Sequence, residues 1–384
     1  MARTPRNAGS PEDSHRRVLI ISSYMGRPES LLGGGETYAE QLAGQLSDRG
    51  HDIIIGCWQS GTVSLTRIMK KLPSRQVRVR SAIDLVSIAS LVGIIRRDRI
   101  DLVIANSPKE YWPAVIASRL TGRKVILVRH LTRRISLATR TLINSSADCV
   151  IAVSRSVRRE LELSGIRENI IREVYNGVPV ERIREALKER ESTRAETGYL
   201  PGDLVIGFAG RLHPEKGLDC LIAAFGRIAR HYPQARLLIV GDGRERQTML
   251  RAAAGMHLED RVRFTGRIDP VYRMYAAMDI FVMPSICEEA FGFAAAEAMA
   301  MGRPVIASNS GGLAELITHE VDGLLVRPGD PESLTTALIR LIENPEERRS
   351  FAARGLETVT NRYSDRLQGN LMNDLILAIS GTRA

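Results

Sequence analysis

The chain has 384 residues, of which 44% are hydrophobic and 26% are charged. This composition is typical of a soluble globular protein, and the length exceeds what one hydrophobic core usually serves. The apolar runs are too short to cross a bilayer, so we expect two domains and no transmembrane helix.

The net charge of +10 is concentrated in one half of the chain. Residues 1–180 contain 28 Lys and Arg against 16 Asp and Glu, whereas residues 181–384 contain 26 against 28. A basic half predicts an anionic partner, such as phospholipid headgroups, a lipid diphosphate or a phosphorylated glycan. Nucleic acid is the competing interpretation of the same charge.

The first 16 residues contain basic side chains but no apolar stretch typical of a secretory signal. Their Pro, Ser and charged content predicts a disordered tail, and we expect a cytoplasmic protein. The four cysteines are widely scattered, without a CxxC pair or a His at ligand spacing. This pattern favours buried, reduced thiols over a disulfide framework or a zinc site.

Short apolar runs alternate with helical patterns along the first half. A buried strand is predicted at residues 18–22, then a turn at Gly33, Gly34 and Gly35, and a helix over residues 36–46. Further strands are predicted at residues 52–56, 101–105, 124–128 and 149–153. Such alternation indicates a parallel sheet in an α/β domain.

The second half repeats this organisation. Strands are predicted at residues 204–207, 236–240, 261–264, 279–283 and 304–307, again with helices between them. We therefore predict a tail at 1–16, a doubly wound Rossmann-like domain at 17–180, a linker or connecting helix at 181–200, a second such domain at 201–360 and a helix at 361–384. That last helix could pack on either domain, including a return to the first.

The motif GRLHPEKG at residues 210–217 directly follows a predicted strand. At the carboxyl end of a strand, the guanidinium of Arg211 and the ammonium of Lys216 can neutralise a diphosphate. Arginine can do so with two parallel hydrogen bonds. The alternative is a surface turn with solvated charges.

A second motif, EAFGFAAAE at residues 289–297, contains two carboxylates separated by seven residues. If a helix begins near Gly292, Glu289 lies in the preceding loop and Glu297 lies about a turn and a half inside the helix. Amides at a helix start can hold sugar or phosphate oxygens, and a carboxylate can accept hydrogen bonds from vicinal hydroxyls. Alternatively, Glu297 is a satisfied polar residue in a packed helix, where an unpaired carboxylate is costly.

Two features of the first half also suggest a site. Glycines at the first βα turn let the backbone approach a phosphate or an acceptor closely, although a plain flexible turn has the same composition. His130 follows the strand predicted at residues 124–128. A lone histidine is usually structural, but its position at a strand end favours a functional role.

Together these residues resemble glycosyltransferase family 4, within the two-domain class called GT-B. The second half matches through GRLHPEKG, VGDG at 240–243, FTGRI at 264–268, the Glu-seven-Glu motif, GRPVIAS at 302–308 and SGGLAELI at 310–317. The first half matches through GGGE at 33–36, His130 and YNGV at 175–178. The resemblance covers essentially residues 17–365, and it implies two Rossmann-like domains that face each other across a cleft.

The resemblance also implies roles for individual residues. The implied catalytic residues are His130, Arg211, Lys216 and Glu289. The implied donor-binding residues are Gly34, Gly35, Gly210, Arg211, Lys216, Gly241, Arg267, Glu289, Ala290, Phe291, Gly292 and Glu297. The implied acceptor-binding residues are Gly33, Gly34, Glu36 and His130.

Within this scheme, Arg211 and Lys216 bind the donor diphosphate and take over the task of a metal ion, in agreement with the lack of an Asp-x-Asp pair in the sequence. Glu289 binds donor-sugar hydroxyls, Glu297 binds the ribose, and Arg267 lines the base pocket. No cofactor and no metal are expected. Family members usually retain the anomeric configuration, and we expect front-face attack completed by domain closure.

The expected donor is a UDP-sugar that carries a hexose. The expected acceptor belongs to a cell-envelope polysaccharide, a lipopolysaccharide or a glycolipid, and no nucleic acid partner is expected. Two alternatives use the same residues: a nucleotide-sugar epimerase or hydrolase of similar fold, and a noncatalytic protein that binds nucleotide-sugars or other anions. The intact donor motifs argue against both.

Residues 66–80, TRIMKKLPSRQVRVR, predict a peripheral membrane contact on the inner face of the plasma membrane. Six basic residues accompany apolar ones, namely Ile68, Met69, Leu72, Val77 and Val79. Cations would face the headgroups while the apolar side chains enter the lipid boundary. The alternative is a solvated loop followed by a β-strand, and Pro73 argues against one continuous amphipathic helix.

Overall fold

The computed structural model describes residues 15–22, 34–58, 71–81 and 84–381. The chain divides into two compact units. The first unit comprises Met1–Val153, Val157–Val174 and Gln368–Ala384, and the second comprises Ser154–Ser156 and Tyr175–Leu367. Each unit contains one parallel sheet with helices between the strands. The predicted fold class, two doubly wound α/β domains, is therefore confirmed.

The sheet of the first unit has seven strands within the described residues. They are β1 (Arg17–Ile21), β2 (Asp52–Cys57), β3 (Ser74–Gln76), β4 (Leu102–Ala105), β5 (Lys124–Arg129), β6 (Cys149–Ala152) and β7 (Ile171–Glu173). They pair in parallel in the order β3-β2-β1-β4-β5-β6-β7. The helices in this part of the chain are α1 (Gly34–Ser47), α2 (Leu85–Arg97), α3 (Tyr111–Thr121), α4 (Leu137–Ser146) and α5 (Arg155–Leu163).

The second unit has a parallel sheet of six strands. They are β8 (Leu204–Ala209), β9 (Ala235–Val240), β10 (Val262–Gly266), β11 (Ile280–Met283), β12 (Val305–Ser308) and β13 (Leu324–Val326), in the order β10-β9-β8-β11-β12-β13. Its helices are α6 (Val180–Glu185), α7 (Arg190–Glu196), α8 (Leu218–Ala229), α9 (Arg246–Gly255), α10 (Tyr272–Ala277), α11 (Phe293–Ala300), α12 (Gly311–Leu316), α13 (Pro331–Glu343) and α14 (Pro345–Arg362), and the chain ends with α15 (Asp365–Gly381), which starts in this unit.

Each sheet reverses its strand order beside its first strand. Strand β1 lies between β2 and β4, and β8 lies between β9 and β11. The crossover connections leave such a point toward opposite faces, so a crevice opens at the carboxyl ends of the two strands. Among the described residues, the loops after β4, β8 and β11 are therefore where the topology leads us to expect ligand contacts.

All ten strands predicted from the sequence are present, with ends that differ by at most two residues. Their apolar runs are almost completely buried because helices flank the parallel sheets. The three strands that the sequence analysis missed, β3, β7 and β13, each have three residues and lie at a sheet edge. Short edge strands have too few residues for an apolar period to develop.

The segment predicted as a linker, residues 181–200, is helical and packs within the second unit. Arg190 and Arg194 each donate to Asp279, at 2.5 and 3.1 Å, just before β11. The same carboxylate accepts a hydrogen bond from the Val205 amide at 2.8 Å. The structure therefore shows a connecting helical segment, and two ion pairs to Asp279 hold it against the start of β11.

The C-terminal helix also differs from a simple extension of the second domain. From Gln368 onward, α15 belongs to the first unit. Arg49 donates to the side-chain oxygen Oδ1 of Asn370 at 2.7 Å, and His51 Nε2 lies 3.0 Å from Asn373 Oδ1. The helix thus packs beside the end of α1, which is the return to the first domain that the sequence analysis gave as one possibility.

The basic segment offered for a membrane contact is partly described, from residue 71 onward. Val77 and Val79 are each 1% exposed and belong to the protein core. Arg75 forms an ion pair with Asp98 at 2.8 Å. The prediction that these two valines enter lipid is therefore wrong, since the alternating pattern points them into the unit. Among the described residues, no helix has the length and apolarity needed to span a bilayer.

The four cysteines are free thiols. Cys57, Cys149 and Cys220 are buried, as predicted, whereas Cys287 is partly exposed. Burial raises the pKa of Cys149 to about 12 and that of Cys220 to about 11. These thiols stay protonated, which makes them poor nucleophiles.

Candidate functional site

The loops after the central strands of the second unit are joined by backbone hydrogen bonds. The Gly210 amide donates to the Val240 carbonyl at 2.9 Å, and the Leu212 amide donates to the Asp242 carbonyl at 3.0 Å. The Gly241 amide in turn donates to the carbonyl of Gly266, the last residue of β10, also at 2.9 Å. The motifs that carry the family resemblance therefore meet at the carboxyl ends of the strands in this sheet.

Lys216 is positioned by a turn that leaves no room for a side chain at the next residue. A short 3₁₀ turn over Pro214–Lys216 ends at Gly217, whose φ is +65°. A Cβ on Gly217 would lie 2.0 Å from the Pro284 carbonyl oxygen, so the turn packs directly against the loop after β11. The Ile286 amide also donates to the Glu215 carbonyl at 2.9 Å.

This packing brings Lys216 and Glu289 together. The Lys216 ammonium donates to Oε1 of Glu289, and the Ser285 hydroxyl donates to the same oxygen at 2.6 Å. The side chains of the pair are 21% and 14% exposed, so water screens their attraction only in part. The sequence analysis assigned these two residues to different parts of a donor, and the structure places them in contact.

The carboxylate of Glu289 is engaged through one oxygen. Among the described side chains, Lys216 and Ser285 both donate to Oε1. An ionised carboxylate has about four lone-pair sites, so Oε2 retains the capacity to accept hydrogen bonds from hydroxyls.

The backbone under Glu289 is supported by the SGGLAELI motif. The Gly312 amide donates to the Glu289 carbonyl at 2.6 Å. A Cβ on Gly312 would lie 2.6 Å from the Ala290 carbonyl oxygen and from the Phe291 Cα. The loop of residues 289–291 therefore rests on a backbone surface that only glycine provides.

Glu297 lies inside α11, which begins at Phe293 after Gly292, as predicted. Its side chain is buried, and the Tyr275 hydroxyl donates to Oε2 at 2.9 Å. Burial raises the pKa of Glu297 to about 7, and the hydrogen bond from Tyr275 offsets only part of this effect. A buried carboxylate with a perturbed pKa is typical of functional sites.

The remaining predicted residues of the second unit occupy the same loops. Arg211 and Arg267 are exposed, in the turns after β8 and β10. Ala290 is partly buried, whereas Phe291 is 2% exposed and its ring packs edge to face on Phe293 at 5.3 Å. Phe291 therefore has only backbone atoms to offer a ligand. In the part of the chain that the structure describes, no three His, Cys, Asp or Glu side chains group as metal ligands.

In the first unit, His130 directly follows β5, as predicted. Its Nε2 lies 2.9 Å from Oδ1 of Asn106, and the Tyr38 ring packs on it at 4.8 Å in an edge-to-face arrangement. Burial, and to a lesser extent the charge of Arg129, lowers the pKa of His130 to about 4. The imidazole is therefore neutral at physiological pH.

The glycine turn is only partly described. Gly33 lies outside the described residues, whereas Gly34 is exposed and Gly35 and Glu36 are partly buried. Helix α1 already begins at Gly34, so the second and third glycines form its first turn and do not precede it as predicted. The start of a helix is a place where backbone amides can face an anion, so this shift moves Gly34 and Gly35 into that position.

Three residues of the site were not predicted from the sequence: Asn106, Tyr275 and Ser285. Asn106 comes directly after β4, and Ser285 follows β11 by two residues. Polar residues just after predicted strands were the available indication for both. Tyr275 lies within α10, and nothing in its sequence context points to Glu297.

Comparisons with known proteins identify both halves of the chain. A family model described as Glycosyltransferase Family 4 matches residues 32–182, and one described as Glycosyl transferases group 1 matches residues 203–344. The 2-deoxystreptamine glucosyltransferase of Streptomyces kanamyceticus is 30% identical over 282 residues, which cover 67% of this chain and 72% of that protein.

Two further similarities differ in their extent. The GDP-mannose-dependent monoacylated alpha-(1-6)-phosphatidylinositol monomannoside mannosyltransferase of Corynebacterium glutamicum is 32% identical over 243 residues, 61% of this chain. The match spans 63% of that protein, less than two thirds of its length. The crystal structure of Anabaena Alr3699/HepE in complex with UDP-glucose has a TM-score of 0.81 at 24% identity, over 95% of this chain and 100% of that chain. The structural match supports the fold alone.

Proposed function

This chain belongs to glycosyltransferase family 4, and we propose that it transfers a hexose from a nucleotide-sugar, with a UDP-sugar as the first candidate, to a cell-envelope glycan or lipid-linked acceptor. The observation that carries the proposal is the contact between Lys216 and Glu289 beside the point where the second sheet reverses its strand order. An ammonium and a carboxylate side by side can bind the diphosphate and the sugar of one donor.

The second unit would supply the electrostatic part of the reaction. A bound diphosphate competes with Glu289 for the Lys216 ammonium, and this exchange releases Oε1 of Glu289 for sugar hydroxyls. Arg211, exposed on the same turn, would add a second cation. Two fixed cations stabilise the charge that develops on the leaving diphosphate, which is the task of a metal ion in other transferases. We therefore propose that the reaction needs no metal.

We propose retention of the anomeric configuration by front-face attack. The bond from the anomeric carbon to the diphosphate breaks, a bond to the acceptor oxygen forms on the same face, and the acceptor proton passes to the leaving phosphate oxygen. This course does not require Glu289 as a nucleophile, because after the diphosphate has taken Lys216 the carboxylate would accept hydrogen bonds from Ser285 and from the sugar hydroxyls. The protein's work is then positioning and charge stabilisation.

The identity of the base is the open choice within this proposal. The Anabaena structure is described as a complex with UDP-glucose, whereas the corynebacterial relative is named GDP-mannose-dependent. In either case, Glu297 would accept hydrogen bonds from the ribose hydroxyls. The position of Arg267 after β10 suits contact with the base, and it is the residue whose change should affect nucleotide preference most selectively.

The acceptor would approach the first unit, where the basic surplus lies. Arg78 and Arg80 are exposed beside the buried Val77 and Val79, and the guanidinium of Arg78 lies 4.5 Å from the centre of the Trp58 ring. We propose that such cations attract an anionic, membrane-associated acceptor at the cytoplasmic face, without insertion of the valines. The alternatives of an epimerase, a hydrolase or a noncatalytic binder are not favoured, since the relatives compared above are named as transferases.

A direct test uses purified full-length protein with EDTA present. UDP-, GDP- and ADP-sugars are compared by thermal shift, because a ligand that binds only the folded state raises its melting temperature. Release of nucleoside diphosphate is then followed with short-chain lipid diphosphates and phosphorylated glycans as acceptors, and NMR gives the anomeric configuration of the product.

We expect a shift with UDP-sugars in EDTA, transfer to one acceptor class, and an α-linked product from an α-linked donor. Lys216→Ala should abolish the shift, whereas Lys188→Ala, at an exposed lysine of the same unit, should retain it. A requirement for Mg²⁺, or the absence of a shift with every nucleotide-sugar, would contradict the proposal.

A further inference from the structure

Asn106 occupies the point where the first sheet reverses its strand order. It follows β4, which lies between β1 and β5. Its side chain contacts three other segments: Ser22 after β1, Gly35 in α1 and His130 after β5. Asn106 is 3% exposed, so these contacts are protected from water.

The contacts fix which way the amide group points. The Gly35 carbonyl oxygen can only accept a hydrogen bond, so the Asn106 atom that lies 2.7 Å from it must be the nitrogen, Nδ2. The same nitrogen lies 3.4 Å from the Ser22 hydroxyl oxygen. The other amide atom, Oδ1, therefore faces His130.

This orientation fixes the hydrogen on the imidazole. Oδ1 of Asn106 can only accept, and it lies 2.9 Å from Nε2 of His130, so Nε2 must be the protonated nitrogen. The ring is neutral, because burial and the charge of Arg129 lower its pKa to about 4. Nδ1 therefore presents a lone pair and no hydrogen.

We propose that Asn106 is a positioning residue that holds His130 as the Nε2–H tautomer and thereby makes Nδ1 a hydrogen-bond acceptor for a substrate hydroxyl. The inference rests on the proposed glycosyl transfer for the identity of the substrate. It adds to that proposal a residue and a chemical selectivity that the motifs do not contain.

The selectivity follows from what Nδ1 cannot do. A lone pair cannot bond an ionised phosphate oxygen, which also only accepts. His130 is therefore matched to a hydroxyl of the transferred hexose or of the acceptor, and it does not contribute to binding of the diphosphate. Asn106 also joins the ring to the first turn of α1 through Gly35, so the orientation of His130 and the position of that turn depend on one side chain.

NMR of the full-length protein labelled with ¹⁵N-histidine tests the tautomer directly. The chain has seven histidines, and loss of one set of signals in His130→Gln assigns the ring. We expect the wild-type spectrum to show hydrogen on Nε2 of His130. In Asn106→Leu, which keeps the branching and the number of side-chain heavy atoms but removes the amide, we expect a mixture of tautomers and a kcat about tenfold lower, equivalent to one lost hydrogen bond.

Asn144→Leu is the matched control. Asn144 also bridges two backbone groups, the Gly165 carbonyl at 2.8 Å and the Arg167 amide at 3.0 Å, but it lies in α4. We expect this variant to leave the His130 spectrum and kcat unchanged. Hydrogen on Nδ1 in the wild type, or an Asn106→Leu variant that matches the control in both measurements, would overturn the inference.

Asn106→Asp decides the matter if Asn106→Leu does not fold. A carboxylate still accepts from Nε2 but cannot donate to the Gly35 carbonyl, so we expect the Nε2–H tautomer to persist. The titration midpoint of His130 should rise by at least one pH unit, because the new charge favours the protonated ring against the opposing charge of Arg129. An unchanged midpoint would overturn the inference. Absence of transfer by the wild type would remove the proposed function and leave this spectroscopic test intact.

Discussion

Both units place candidate residues after the central strands of their sheets but use different chemistry there. In the second unit, an ammonium and a carboxylate are in direct contact, as Lys216 and Glu289. In the first unit, a neutral imidazole is held by an amide, as His130 and Asn106. The half of the chain with the surplus of positive charge therefore holds the uncharged cluster. The net charge of one half shows which surface attracts anions, whereas local packing determines which charged side chains are positioned to take part in the reaction.

This difference suits two different tasks. A diphosphate demands cations that are already in place, because reorganisation of charge during the reaction costs activation free energy. Glu289 keeps Lys216 in place before a donor arrives. A hydroxyl demands a directional partner, and the fixed tautomer of His130 provides one. We expect changes in the second unit to alter rate through charge and changes in the first to alter it through geometry.

The largest expected effect comes from removal of the cation. Lys216→Ala should lower kcat/KM about 10³-fold, the upper range for loss of one preorganised group that stabilises developing charge. Steady-state release of nucleoside diphosphate measures it, and Lys188→Ala serves as the control. A loss below tenfold would mean that the second unit does not rely on this charge, and the comparison between the units would fail.

Glu289→Gln should follow, with a decrease of about 10²-fold in kcat/KM. Glutamine keeps the shape and can accept the hydrogen bond from Ser285, but it loses the ion pair with Lys216 and the stronger bonds that a carboxylate makes to hydroxyls. The neighbouring Glu288 is exposed, so Glu288→Gln is the matched control, since it removes the same charge one residue away from the proposed site. Equal rates for these two variants would remove Glu289 from the site.

The sequence predicted the fold better than the contacts within the site. The long apolar strands and the positions of Lys216, Glu289 and His130 at strand ends follow from periodicity and motif alone. The contact between Lys216 and Glu289 did not follow, because it depends on a turn packed against the Pro284 carbonyl. Likewise, the helical packing of residues 181–200 depends on ion pairs with Asp279, which a charged, polar composition does not reveal.

A smaller effect should appear in the pH dependence of donor binding. Burial raises the pKa of Glu297 from 4.5 to about 7, so the fraction of ionised carboxylate falls about tenfold between pH 8 and pH 6. If the ionised form accepts the ribose hydroxyls, donor affinity should fall by about the same factor over this range. Calorimetric titration measures it, and Glu297→Gln should bind more weakly at pH 8 with a flat profile.

The same residue makes a prediction about stability that requires no substrate. Between pH 4.5 and about 7 the folded protein binds a proton on Glu297 that the unfolded chain has already released. The contribution of this group to the free energy of unfolding therefore falls as pH rises through that range and is constant above it. Glu297→Gln should raise the free energy of unfolding at pH 8 by up to about 3 kcal/mol and leave it unchanged near pH 4. If the wild type and Glu297→Gln differed in free energy of unfolding by the same amount at both pH values, Glu297 would not be buried as a charged carboxylate at pH 8.

The smallest expected effect tests whether the ionic cluster also needs a neutral support. The Ser285 hydroxyl donates to the oxygen of Glu289 that Lys216 also holds. Ser285→Ala should lower kcat/KM about tenfold, the lower end of what one lost hydrogen bond to a charged group costs. The ion pair would remain, so most of the loss should appear in KM for the donor. Ser192→Ala removes an exposed hydroxyl that donates to the Glu189 carbonyl at 3.0 Å, and it should change neither constant.

A loss in Ser285→Ala as large as that in Lys216→Ala would mean that the Glu289 carboxylate is oriented mainly by the Ser285 hydroxyl. In that case the second unit would depend on a fixed neutral contact as much as the first unit does.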